Sequence, residues 1–259
     1  MGKTIVIANQ KGGVGKTTTT VNLAASLALA EKDILVIDTD PQGNLSSGLG
    51  INRDSIQGSL YDVYVGRLSI EETLHETEIP NLHIIPSTID LLGVEVELVQ
   101  RDGREKILLN ALSSIKEKYK YIFIGCPPSL GLLTLNGLVA ADSIIVPVQC
   151  EYYSLEGLGL LSRTLKLVQG SFNPDLDIEG ILLTMYDSRN TLSNQVADEV
   201  RKFFKEKVYN TQIPRNVTLG EAPSHGKPAI LYDARSKGAQ SYLSLAKEIL
   251  NENGIRQGA

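Results

Sequence analysis

Residues 3–18 (KTIVIANQKGGVGKTT) decide the fold of this chain. Residues 3–8 are a short β-branched run that predicts a buried strand. A glycine-rich turn follows, and residues 17–30 have the apolar spacing of a helix. A glycine-rich turn between a strand and a helix predicts a phosphate loop, because glycines let successive backbone N–H groups point at phosphate oxygens. The helix dipole adds positive potential at the same place.

The loop itself, residues 11–18, has side chains for both a nucleotide and a metal ion. Lys16 can bring an ammonium group to the β- and γ-phosphates, and Thr17 can offer a hydroxyl to Mg²⁺. We therefore predict that the chain binds ATP with Mg²⁺. The predicted nucleotide contacts of the loop are Lys11, Gly12, Gly13, Val14, Gly15, Lys16, Thr17 and Thr18.

Lys11 stands where the loop departs from the usual phosphate-loop spacing, which would put a glycine at position 10, whereas this chain has Gln10 followed by Lys11. Lys11 and Lys16 thus flank one set of phosphates. From the start of the loop, Lys11 cannot easily fold back onto its own phosphates. We expect it to reach the nucleotide of a facing subunit, where a second cation meets the charge that builds on the leaving γ-phosphate. The alternative is a solvated lysine.

Two aspartates follow the second predicted strand, residues 33–38 (DILVID). Strand-end carboxylates in this architecture lie beside the phosphate loop. Asp40 is predicted to hold the attacking water, directly or through Mg²⁺ waters, and Asp38 to belong to the magnesium shell. The alternative for each is a capping role in the turn that Pro41 and Gly43 form. The predicted catalytic set is Lys11, Lys16 and Asp40, and the predicted metal set is Thr17, Asp38 and Asp40.

The strand predicted at residues 121–125 (YIFIG) ends in a glycine, Gly125. P-loop ATPases normally keep a second magnesium carboxylate at this strand end. Further strands are predicted at residues 82–86, 143–148, 178–185 and, as a short last strand, 208–213. Further helices are predicted at residues 104–118, 132–141, 154–168, 192–205 and 236–251.

Apolar strands that alternate with helices predict an α/β fold with one doubly wound, mainly parallel sheet and helices on both faces. We expect a single P-loop ATPase domain over residues 1–259, with the last few residues disordered. The ligand is expected at the carboxyl ends of the strands.

Composition and charge narrow the class of protein. The hydrophobic fraction of 42% and the charged fraction of 21% are ordinary for a soluble globular chain. The net charge of −5 argues against a generic binder of polyanions, although residues 163–259 have 13 basic against 11 acidic side chains. No apolar run is long enough for a membrane span, and polar residues interrupt any signal peptide, so we expect a cytoplasmic protein. Cys126 and Cys150 are expected to be buried and reduced.

Five segments resemble one known family. They are residues 11–18, 38–44 (DTDPQGN), 126–131 (CPPSLG), 148–157 (VQCEYYSLEG) and 213–228 (IPRNVTLGEAPSHGKP). Together they closely resemble the ParA/Soj chromosome-partitioning ATPases of the deviant Walker A group, which also includes MinD. The resemblance extends over nearly the whole chain, from residue 2 to about 253. The loop marks the wider group, and the last segment narrows it to the chromosomal ParA branch.

The resemblance implies a cycle. ATP drives a sandwich homodimer, in which each Lys11 reaches the other subunit's nucleotide. The dimer binds double-stranded DNA without sequence preference, on the nucleoid. A ParB-type partner then stimulates hydrolysis and releases the protein. The resemblance also implies that Pro214 and Asn216 line the nucleotide base, with Met185 near them.

The chain departs from the family pattern in two places. The family has aspartate where this chain has Gly125, which predicts slowed hydrolysis and a longer-lived ATP dimer. One DNA-binding arginine of relatives matches Arg189, but a second falls on Thr218. For each DNA-binding candidate the alternative is a solvated surface charge. The candidates are Arg189, Lys202, Lys205, Arg215 and Lys227.

Two other functions compete with this one. A MinD-like membrane-associated ATPase would need a basic amphipathic C-terminal helix, whereas residues 251–259 (NENGIRQGA) are short and polar, so no membrane partner is expected. A non-hydrolysing, nucleotide-gated scaffold is the second alternative, because Gly125 removes a carboxylate that the chemistry uses.

Overall fold

One sheet organises the chain in the computed structural model, which describes residues 2–151 and 154–257. Within these residues the sheet has seven strands in the order β3-β4-β2-β5-β1-β6-β7. All neighbours are parallel except β3 and β4. The strands are β1 Lys3–Ile7, β2 Ile34–Asp38, β3 His75–Glu76, β4 Leu82–Ile85, β5 Tyr121–Gly125, β6 Ser143–Gln149 and β7 Asp177–Thr184.

Helices cover both faces of the sheet. One apolar cluster joins the sheet to α1 and α11, and the other joins it to α3, α5, α6, α7 and α8. The helices are α1 Lys16–Ala28, α2 Asn44–Gly48, α3 Leu60–Val65, α4 Val94–Glu97, α5 Ile107–Leu112, α6 Leu132–Ala140, α7 Ser154–Ser171, α8 Thr191–Phe204, α9 Val217–Glu221, α10 Ala229–Tyr232 and α11 Lys237–Gln257. The doubly wound, mainly parallel sheet predicted from the sequence is therefore confirmed.

The central strands are buried along their whole length. Every residue of β2, β5 and β6 is buried, and so is β1 beyond Lys3. This explains why their sequences are nearly continuous apolar runs rather than alternating ones.

Two predicted elements were wrong. Residues 104–118 do not form one helix, because short 3₁₀ turns at Arg104–Lys106 and Lys116–Lys118 flank the brief α5. Residues 208–213 form no strand. Val208 makes a single bridge to Ile181, after which the chain only follows the edge of β7. The expected disorder of the last residues falls partly on residues 258–259, outside the described residues, and α11 extends to Gln257.

The register brings three strand ends together. Gly125 at the end of β5 pairs with Ile7 at the end of β1 and with Asp38 at the end of β2. Since the chain leaves β1 directly into residues 8–15 and then α1, the glycine-rich loop lies at this carboxyl edge. The predicted ligand position is thus beside the predicted acidic residues.

Two further expectations concern single features. Cys126 and Cys150 are both buried free thiols, as predicted. Among the described residues, no helix combines the length and the apolar character that a membrane crossing requires.

Candidate functional site

The loop between β1 and α1 is open on the side where phosphates would lie. Gly13 and Gly15 have φ angles of 72° and 91°, in the left-handed region that glycine adopts without strain. A Cβ atom added at Gly12 or Gly13 would meet no atom within 4 Å, so the loop borders free space. The Thr184 hydroxyl of β7 donates to the Val14 carbonyl at 2.9 Å and holds the loop against the sheet.

Lys16 lies across this loop. Its Nζ donates to the Lys11 carbonyl oxygen at 3.0 Å, and the residue is buried. Burial lowers the pKa of the Lys16 ammonium, while Cys126 and the Asp40 carboxylate act in the opposite direction. Thr17 follows at the start of α1 and is half-buried. The ammonium group is therefore held across the loop by the Lys11 carbonyl.

Lys11 has a partner within its own chain. Its Nζ lies 3.4 Å from Oε2 of Glu151, and its side chain is 31% exposed. The other oxygen of Glu151 accepts from Arg215 at 3.2 Å and from Gln149 Nε2 at 2.6 Å. Sequence reasoning did not single out Glu151 or Gln149, although both stand in the 148–157 segment used for the resemblance.

The two predicted metal aspartates differ in their surroundings. Asp38 is fully buried, and its carboxylate accepts from the Ser46 N–H at 2.9 Å, the Ser46 hydroxyl at 2.7 Å and the Asp40 N–H at 3.1 Å. Burial raises the pKa of Asp38 to about 6, and the bonds from Ser46 and Asp40 oppose that rise. Asp40 is half-buried, and its Oδ1 accepts from the Gln42 N–H at 3.0 Å. Asp40 is thus the more accessible carboxylate.

Gly125 stands at the centre of this edge. Its carbonyl accepts from the Thr39 N–H at 3.0 Å and the Thr39 hydroxyl at 2.9 Å. A Cβ atom at this position would lie 2.5 Å from Leu45 Cδ1 and 3.4 Å from Thr20 Oγ1. A side chain here would therefore displace the tip of Leu45 and lie beside α1, one turn beyond Thr17.

A separate cavity of about 420 Å³ opens onto the loop at Gly15 and Thr18. The three residues expected near a base, Met185, Pro214 and Asn216, all line it. Asn216 Oδ1 is buried and has no hydrogen-bond partner among the described residues. The cavity has further lining residues that were not predicted from the sequence to lie there: Thr184, Ile213, Arg215, Val217, Leu219, Gly220 and Tyr242. Mostly apolar walls with a side-chain amide among the lining residues suit an adenine ring.

The basic residues predicted to contact DNA do not form one patch. Arg189 follows β7, and because Tyr186 N donates to Ile213 O at 3.0 Å, its loop lies next to the loop of Arg215. Arg189 is 88% exposed and binds Asp187 through two bonds of 3.0 and 2.9 Å, which lowers the pKa of Asp187 to about 2.

The remaining candidates lie elsewhere. Lys202 and Lys205 are at the far end of α8, about 20 Å along a helix of 14 residues from its start next to Arg189. There Lys202 has a 3.9 Å contact with Glu199, whereas Lys205 has no ion pair within the described residues. Lys227 is exposed and follows Gly226. The backbone of Gly226 lies close to that of Gly50, just after the end of α2.

Comparison with known proteins places this site in a family. A model of the AAA domain family matches residues 2–178. The sporulation initiation inhibitor protein Soj of Bacillus subtilis is 57% identical over 249 residues, which cover 96% of this chain and 98% of that protein. The chain belongs to the ParA/Soj family of chromosome-partitioning ATPases. A second ParA/Soj member, the chromosome-partitioning ATPase Soj of Treponema pallidum, is 53% identical over 256 residues, 99% of this chain and 100% of that one.

A solved structure has a similar fold over the whole chain. It is a Mycobacterium smegmatis protein described as cobyrinic acid a,c-diamide synthase, with a bound ATP analogue and magnesium. It has a TM-score of 0.86 and 37% identity, covering 100% of this chain and 98% of that one. The fold predicted from the sequence is thus also found in a solved structure of a related nucleotide-binding protein.

Proposed function

We propose that this ParA/Soj family member is a nucleotide-driven switch that binds ATP with Mg²⁺, dimerises, binds DNA and is reset by hydrolysis. The observation that supports it most strongly is the joining of two spaces: the open phosphate loop and the base-sized cavity meet at Gly15 and Thr18. One ATP molecule can place its triphosphate in the first and its adenine in the second.

The nucleotide contacts follow from this geometry. Backbone N–H groups of the loop and the Lys16 ammonium would bind the phosphates, and the side chain of Asn216, which lines the cavity, would contact the adenine. Thr17 and Asp40 are the accessible oxygen donors for Mg²⁺, which prefers such ligands. The ion held there would supply positive charge against the charge that develops on the phosphates.

Two residues would then contribute to hydrolysis. Asp40 is expected to orient the attacking water, because it is a half-exposed carboxylate just after the end of β2, at the edge of the sheet where the loop lies. Lys11 would leave Glu151 and bring its ammonium to the γ-phosphate of the facing subunit. Asp38 stays a predicted magnesium residue, but its carboxylate is occupied by Ser46 and Asp40 in the free chain.

For the ATP-bound dimer we propose non-specific DNA binding at the edge that carries Arg189 and Arg215. Lys227, which lies elsewhere, stays a prediction. Phosphate contacts of exposed arginines need no sequence preference and depend strongly on salt. Lys202 and Lys205 stay predictions at a second place. A ParB-type protein would stimulate hydrolysis and end the DNA-bound state on the nucleoid.

The test of this step is DNA affinity as a function of salt and nucleotide. We expect wild-type protein to bind a 60-base-pair duplex with ATP but not with ADP. Arg189→Ala or Arg215→Ala should make the plot of log affinity against log salt less steep. The magnitude of its negative slope should fall by about 1, as the loss of one phosphate contact does.

Lys202→Ala is the comparison variant, because Lys202 lies at the far end of α8. It is expected to change the slope less than Arg189→Ala. Equal DNA binding in ADP, or a larger effect of Lys202→Ala, would contradict the proposed edge.

One observation favours a second candidate function. Gly125 leaves the end of β5 without a carboxylate, directly between the ends of β1 and β2. Such a chain could bind ATP and dimerise as a scaffold without cleaving it. Single-turnover ATP cleavage distinguishes the two functions, since a scaffold leaves the γ-phosphate intact.

A further inference from the structure

Two buried serines meet behind the segment that carries Asp40. Ser46 is in α2, and Ser87 follows β4, so the two are 41 residues apart in the chain. The Ser87 N–H donates to the Ser46 hydroxyl oxygen at 3.2 Å, and that hydroxyl donates to Asp38 Oδ2 at 2.7 Å. The three residues are 0 to 2% exposed. A continuous hydrogen-bonded chain thus links the end of β4 to the end of β2.

These hydrogen bonds hold the Asp40 backbone from both sides. The Asp40 N–H donates to Asp38 Oδ1 at 3.1 Å, and the Ser87 hydroxyl donates to the Asp40 carbonyl at 2.5 Å. Between them, Thr39 is fixed to the Gly125 carbonyl through its N–H and its hydroxyl. The peptide groups on either side of the Asp40 α-carbon therefore cannot turn unless these hydrogen bonds break.

The Asp40 side chain, in contrast, is held weakly. It is half-exposed, and its carboxylate accepts only from the Gln42 N–H within the described residues. Its direction is therefore set mainly by the backbone. A displacement of about 1 Å in such a group can cost roughly 100-fold in rate.

We infer that Ser87, with Ser46 beside it, is a positioning residue for the Asp40 carboxylate in ATP hydrolysis, an inference that rests on the proposed function. Removal of the Ser87 hydroxyl leaves the Asp40 carbonyl with the Gly43 N–H as its remaining partner. The segment then gains freedom at the point where the carboxylate must be aimed. Neither serine lies among the residues that line the base cavity, so ATP affinity should change little.

The test uses full-length protein with Ser87→Ala, Ser46→Ala and Ser47→Ala. Ser47 is the matched control, because it is also in α2 but its hydroxyl donates to the Gly43 carbonyl at 3.1 Å and takes no part in the chain of bonds. In single-turnover experiments Ser87→Ala is expected to lower the cleavage rate about 10- to 100-fold, with ATP affinity within about twofold of wild type. Ser46→Ala should change the rate in the same direction, and Ser47→Ala should not.

Two readouts separate positioning from a general loss of structure. Hydrogen exchange of the nucleotide-free protein should become faster at the amides of residues 40–43 in Ser87→Ala, with the melting temperature near that of wild type. A double-mutant cycle gives the second readout: in an Asp40→Asn background, Ser87→Ala should cost less than about twofold, because its effect acts through Asp40.

The inference is overturned if wild-type protein cleaves ATP and Ser87→Ala does so at the same rate. It is also overturned if the Ser87→Ala and Asp40→Asn losses multiply, or if exchange at residues 40–43 is unchanged. Failure of the proposed function would give a different result, because wild-type protein itself would then not cleave ATP.

Discussion

Replacement of Lys11 by alanine is expected to slow ATP cleavage at least about 100-fold while the monomer still binds ATP. The backbone N–H groups of the loop, Lys16 and the base cavity all remain in this variant, so binding survives. What is lost is the ammonium group that would reach the facing subunit's γ-phosphate. Two quantities are measured for the variant and for wild type: the rate of ATP cleavage in a single turnover, and the affinity for ATP by fluorescence titration.

Glu151→Gln is the matched control for Lys11. It removes the carboxylate that lies 3.4 Å from the Lys11 ammonium and leaves the lysine itself in place. Cleavage should be no slower than in wild type, because the lysine no longer has to leave an ion pair. If Lys11→Ala cleaves ATP at the wild-type rate, Lys11 is a solvated lysine and has no role in the chemistry.

The second large effect is expected from Gly125→Asp, which should speed ATP cleavage about tenfold or more. The Cβ atom of the new aspartate would lie 3.4 Å from Thr20 Oγ1 on α1, at the strand end where P-loop ATPases hold magnesium. The backbone of Gly125 is not in the left-handed region, so the substitution brings no backbone strain. It does require the Leu45 side chain to turn, since its Cδ1 would lie 2.5 Å from the new Cβ.

Gly125→Asn separates the charge from this displacement. Asparagine has the same shape as aspartate and displaces Leu45 in the same way, but it brings no negative charge to the metal. The variant is therefore expected to cleave ATP no faster than wild type. An aspartate variant that is no faster than the asparagine variant would show that Gly125 does not limit the reaction.

The sequence predicted those parts of the fold that neighbouring residues determine. The buried strands, α1 and the glycine-rich loop follow from local apolar runs and from glycines at positions 13 and 15, where φ is positive. The predicted strand at residues 208–213 was wrong because its backbone joins β7 only at separate points, through hydrogen bonds from Tyr209 and Ile213 and one isolated bridge at Val208, and forms no continuous ladder.

Contacts between distant parts of the chain were beyond this reasoning. Lys11 and Glu151 are 140 residues apart, and Ser87 and Asp40 are 47 residues apart, so nothing in local spacing brings them together. The same holds for the predicted DNA contacts. Their charges were visible in the sequence, but only the path of α8 separates Lys202 from Arg189.

Sedimentation velocity with Mg²⁺ and either ATP or ADP tests the central claim most directly. The proposed switch requires that wild-type protein sediments as a dimer with ATP and as a monomer with ADP. Because Gly125 is expected to slow hydrolysis, the ATP dimer should persist through the experiment. Protein that stays monomeric in saturating ATP, or dimerises equally in ADP, would contradict the account.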